Sequence, residues 1–147
     1  MPTTLRPPAR GIGCHPRAMG YRVIAPREQR WETRPHADGE PARHVAELSE
    51  IAGMDHVRAN VWRYEPGAAG RRHRHPTQDE TFVVLAGTLS IYLGEPPTRQ
   101  DVPAGSLVHV TAGTALQSVN HGDEELIVYA HGWPPEDHHA DLLASAV

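Results

Sequence analysis

The chain has 147 residues, enough for one domain that removes roughly two-thirds of its unfolded surface from water. Hydrophobic residues make up 39% and charged residues 22%, which describes an ordinary globular protein and excludes a disordered or fibrous one. A formal net charge of −4 with dispersed arginines offers no basic field for nucleic acid, Cys14 alone cannot form an internal disulfide, and no apolar run reaches membrane-spanning length.

Residues 1–20 carry four prolines, three arginines and three glycines without periodicity, and are expected to be a flexible arm. They lack the apolar segment of a secretory signal, so a cytoplasmic location is the expectation, in keeping with the lone cysteine. Residues 21–147 are read as a single domain. Its first part, 21–45, stays polar and proline-rich with Trp31 as an isolated anchor. Strands are then expected at "RHVAELSE" (43–50) and "HVRANVWRYE" (56–65), the second with a clean period of two. The pattern continues in "TFVVLAGTLSIYLG", "SLVHVTAG", "ALQSVN" and "EELIVYA", separated by turn signals at Gly87, "GEPP", "PAG", Gly113 and "HGDE". Short strands at such spacing predict an all-β sandwich or barrel. In the tail, "PPEDHHADLLASA" (134–146) could form one short helix.

Eleven histidines are many for this length, and most sit in polar, solvent-facing surroundings. His73 and His75 differ. Residues i and i+2 of a strand share a face, so the two imidazoles project together while Arg74 turns away. Glu80 follows four residues later. A tight loop over Pro76 to Asp79 would bring it back beside the pair on the neighbouring strand. Two imidazoles and one carboxylate with open positions suit a divalent first-row metal such as iron, zinc, manganese or nickel. The competing reading is a solvated, charged loop, and Asp79 could replace Glu80 as the carboxylate.

The wider frame separates these readings. Gly67, five residues, His73-x-His75, four residues, Glu80, six residues and Gly87 resemble the first motif of the cupin superfamily at every position. The resemblance covers about residues 56–130 and is to small, single-domain members. It implies a jelly-roll β-barrel and makes His73, His75 and Glu80 metal ligands. A second motif keeps its spacing through Gly105, Thr111-x-Gly113, Leu116 and Asn120. Two positions depart from it: Thr111 stands where the family has proline, and Leu116 where it has a metal-binding histidine. His109 is a candidate replacement ligand. If Ala112-Gly113 closes a two-residue hairpin, His109 lies across from Leu116 and enters the barrel; otherwise it is a strand histidine bonded to a neighbour. Gln117 should point out of the barrel. Phe82 and Val84 share a side with Glu80 and, with Leu116, are expected to line a small-ligand pocket.

The resemblance implies a metal-dependent enzyme acting on a small organic molecule, as a dioxygenase, isomerase or decarboxylase. The alternative is a non-catalytic cupin that binds or senses a small ligand. A homodimer is expected, with Trp31 and the 43–50 strand packed on a neighbouring barrel. Neither nucleic acid nor membrane is an expected partner.

Overall fold

Strands form where β-branched and apolar residues alternate with polar ones, as the period of two requires. The computed structural model describes residues 20–136 and 140–147, so the arm expected before Gly20 and the pair His138-His139 lie outside the described residues. In chain order the elements are β1 (Trp31–Thr33), β2 (Arg43–Glu47), α1 (Leu48–Ala52), β3 (Arg58–Tyr64), β4 (His73–Arg74) and β5 (Asp79–Ala86). There follow β6 (Thr88–Leu93), β7 (Thr98–Pro103), β8 (Leu107–Val110), β9 (Leu116–Val119), β10 (Leu126–Trp133) and β11 (Asp141–Leu142). They make two antiparallel sheets, β1-β2-β3-β10-β5-β8 and β11-β4-β9-β6-β7. This is the all-β jelly roll that the patterning and the resemblance predict.

Register explains why the sandwich is filled at one end and hollow at the other. Across the six-stranded sheet the inward rows are Arg58–Gly132–Glu80, Asn60–Ala130–Phe82 and Trp62–Val128–Val84. Leu126 and Val128 fill the deep end of β10 together with Leu89 and Ile91 from the opposite sheet. Towards the other end β10 presents only Ala130 and Gly132, and the missing volume becomes a cavity. Gly132 also makes room for Gln78, whose side chain occupies the space a Cβ would take. At Gly87, φ is +75° and a Cβ would stand 2.8 Å from the Glu125 carbonyl oxygen, so the β5–β6 connection requires glycine.

Asn120 ties the deep end together. Its Nδ2 donates to the carbonyls of Tyr64 (3.0 Å) and Glu124 (2.8 Å), and its Oδ1 accepts from Gly122 N (3.0 Å). Asn120→Ala is expected to cost roughly 2–4 kcal/mol, since it deletes three bonds and orphans buried partners. Urea unfolding would measure this; a loss under about 0.5 kcal/mol would reject the structural role.

Several expectations need correction. The tail is not helical among the described residues: Asp141 and Leu142 pair with Arg74 and His73 as β11. Leu143 N donates to the Arg72 carbonyl and Ala146 N to Gln117 Oε1, so the segment satisfies its backbone on an open strand edge, which a short isolated helix cannot match. The 43–50 segment is strand only to Glu47 and then turns into α1. Its strand pairs with β3 and with β1, so Trp31 and β2 belong to the same sheet. Trp31 packs under the Arg63 guanidinium, 5.3 Å from its ring centre. β7 carries no apolar alternation; it is an exposed edge strand and reads as loop.

Candidate metal centre

His73 opens the two-residue strand β4, His75 follows directly after it, and Glu80 lies at the start of β5. The tight loop between them does exist, but it crosses from one sheet to the other, so Glu80 faces the pair across the barrel interior and not from a neighbouring strand. The ligand-type atoms of the three residues all lie within 4.8 Å of one another. Glu80 Oε2 stands 3.5 Å from His73 Nε2 and 3.4 Å from His75 Nε2. Two ligand atoms about 2.1 Å from one tetrahedral ion stand about 3.4 Å apart, so the spacing suits a shared cation. Glu80 Oε2 is also buried and has no hydrogen-bond partner. An orphaned carboxylate oxygen facing two imidazole nitrogens is a donor set that fits a divalent metal.

Both rings are held for that role. His73 Nδ1–H donates to the Arg71 carbonyl at 2.9 Å, and His75 Nδ1–H to Glu136 Oε2 at 2.8 Å. With Nδ1 protonated and engaged, Nε2 keeps its lone pair towards the centre. Glu136 is fixed in turn: Oε1 accepts from Thr77 N (2.7 Å), Thr77 Oγ1 (2.9 Å) and Gln78 N (2.9 Å). Only 3% of its side chain is exposed. Burial pushes the Glu136 carboxyl up, but the His75 and Thr77 hydrogen bonds outweigh it and hold the group at about 2. Glu80 is likewise raised by burial, and the facing imidazoles of His73 and His75, when protonated, outweigh this and bring it to about 2. Burial lowers His75, yet Glu80 and Glu136 together leave it above its ordinary value.

Leu116 lies directly across from His73 in the β4–β9 pair and lines the cavity, at the flank where a fourth ligand would enter. His109 does not approach it. The Thr111–Thr114 turn forms, but β8 pairs with β5 while β9 pairs with β4 and β6, so no β8–β9 hairpin exists. His109 sits opposite Thr81, bonded to its Oγ1 at 2.8 Å, and half exposed. Asp79 also faces away, accepting from Ala112 N at 2.8 Å. Gln117 points outward as expected, but the C-terminal segment buries it.

The cavity beside the triad measures about 640 Å³. Phe82 and Leu116 line it, with Trp62, Tyr64 and Val128; Val84 lies deeper, in the packed core. Sequence reasoning missed Glu136, Tyr64 and Arg43 as parts of this site. Glu136 follows two prolines in a segment read as helix, with no local signal linking it to His75. Tyr64 and Arg43 become legible only once the β2–β3 register sets them opposite each other on the inner face.

A two-sheet jelly roll with an inward His-x-His and glutamate is the arrangement of a cupin. The Cupin domain family model (Cupin_2) matches residues 60–132, and this stretch is a cupin domain. No curated protein matches the sequence. Among solved structures, the chain resembles a sugar phosphate isomerase of the cupin superfamily from Silicibacter pomeroyi (22% identity, TM-score 0.67, covering 78% of this chain and 76% of that one). It also resembles an uncharacterised conserved protein with a double-stranded β-helix domain from Klebsiella pneumoniae (24%, 0.64, 86% and 100%). A third is a predicted oxalate decarboxylase from Thermotoga maritima (18%, 0.67, 78% and 100%). At these identities the likeness establishes the fold.

Proposed function

We propose that the chain is a metal-dependent enzyme that converts a small organic molecule inside the barrel, as an isomerase, decarboxylase or dioxygenase. The observation that carries this reading is the buried, unpartnered Glu80 Oε2 facing His73 Nε2 and His75 Nε2. These three residues would hold a divalent ion, which as iron(II) supplies dioxygen chemistry and as zinc, manganese or nickel supplies Lewis-acid polarisation of a bound oxygen. The rest of the site does ordinary protein work. Phe82, Trp62 and Val128 wall the cavity and exclude water. Burial keeps the Tyr64 hydroxyl protonated above its usual range, so it can donate a hydrogen bond into the cavity. The likeness to structures described as an isomerase and a predicted decarboxylase supports the same reading.

A second reading, a small-ligand binder without turnover, is favoured by Leu116, which leaves the centre with three protein ligands. Metal analysis of protein purified without a histidine tag tests the proposal, with one equivalent of divalent metal per chain expected. Absence of metal after reconstitution with iron, zinc, manganese and nickel would reject it. Bound metal without turnover of any small-molecule panel would favour the binder.

Leu116→His is expected to raise metal affinity by about tenfold or more, because the new imidazole would share a face with His73. A chelator competition titration reads this directly. An unchanged affinity would show that position 116 does not reach the centre.

A further inference from the structure

The cavity is lined by four arginines, Arg34, Arg43, Arg58 and Arg71, against one carboxylate, Glu80. This is a concentrated positive field inside a chain of formal net charge −4. Two of the four are answered within the fold. Arg34 meets Glu47 at 3.2 Å and Glu32 at 3.6 Å, and Arg58 reaches Glu47 at 4.0 Å. Arg43 and Arg71 form no ion pair among the described residues.

Arg43 is the better placed of these two. The β2–β3 register sets it opposite Tyr64, on the inner face. Its guanidinium carbon lies 5.5 Å from the Trp62 ring centre and 5.8 Å from that of Tyr64. Contact with aromatic faces steadies the guanidinium; one of its N–H donors meets the Tyr64 hydroxyl, and the others remain to match an oxyanion. A half-buried cation without a counter-ion is costly, and an incoming anion removes that cost.

We propose that the cavity takes a small organic oxyanion, a molecule bearing a carboxylate or phosphate group that Arg43 receives in bidentate fashion while the remainder extends towards His73, His75 and Glu80. Arg71, at the rim, adds attraction on entry. The proposal deepens the function given above and rests on it for the reacting end of the molecule. The volume of about 640 Å³ is that of a small-ligand site.

The test uses the full chain, both metal-loaded and chelator-treated, titrated calorimetrically with two matched pairs: glutarate against glutaramide, and glucose 6-phosphate against glucose. The anionic member of at least one pair should bind about tenfold or more tightly than its neutral twin, and the pair that responds identifies the group as carboxylate or phosphate. Arg43→Gln should remove that preference without changing metal stoichiometry, and Arg43→Lys should restore only part, since ammonium keeps the charge and loses the fork. Arg99→Gln, which breaks an exposed pair with Asp101, should leave binding as it was. A preference that survives in chelator-treated protein supports the arginine site even if the metal assignment fails. A preference that vanishes with the metal overturns it in favour of coordination by the ion. Equal binding of the neutral twins, unchanged binding by Arg43→Gln, or no binding of either anion up to about 10 mM also overturns it.

Discussion

Protein carrying His73→Ala and His75→Ala together is expected to purify without bound divalent metal and to gain no thermal stability when metal is added. The wild-type chain should be stabilised by metal as any native-state ligand stabilises, by about 2.7 kcal/mol at a hundredfold excess over Kd. The double variant removes both nitrogen donors and leaves Glu80 as a lone carboxylate, which cannot hold a first-row ion against a chelator. Each single variant should keep a weak site, because one imidazole and one carboxylate remain. The fold should survive, since His73 and His75 lie at the cavity and outside the packed cluster around Leu89, Ile91 and Leu126. Elemental analysis alongside melting curves separates loss of metal from loss of structure. Stoichiometric metal in a folded double variant would sink the assignment of the centre to these residues.

What was legible in the sequence follows from what is local. Strand parity places His73 and His75 on one face, and Glu80 in line with Phe82, because a period of two needs only a few consecutive residues to express itself. The motif glycines are similarly local, as the positive φ of Gly87 shows. Pairing between sheets is not local. The turn at Thr111–Thr114 carries every mark of a hairpin, yet its two flanking strands enter opposite sheets, and this takes His109 away from Leu116. The same limit hid the tail. Acidic residues after Pro134-Pro135 fit a helix start, but the open edge of β4 supplies backbone partners that no reading of residues 134–146 alone could anticipate. β7 was illegible for a different reason: an exposed edge strand has no apolar face to announce it.

Glu136→Gln is expected to weaken metal binding by about 10–100-fold while leaving the fold nearly intact. The variant keeps the shape and can keep an amide oxygen towards Thr77 N, Thr77 Oγ1 and Gln78 N, where Glu136 Oε1 now accepts three bonds. Its amide nitrogen then replaces Oε2 opposite His75 Nδ1, 2.8 Å away in the native protein. Donor would meet donor, and the cheapest escape is for His75 to move its proton from Nδ1 to Nε2. That tautomer turns the ligating nitrogen into an N–H aimed at Glu80, which blocks coordination and gives Glu80 Oε2 the hydrogen bond it now lacks. Glu136→Ala should lose at least as much affinity and also destabilise the chain, because Thr77 N and Gln78 N lose their acceptor. The two variants therefore differ in melting temperature but agree in direction on affinity, as measured by competition with a chelator. Native affinity in the glutamine variant would mean that Glu136 braces the Thr77 loop only and has no hold on the tautomer of His75.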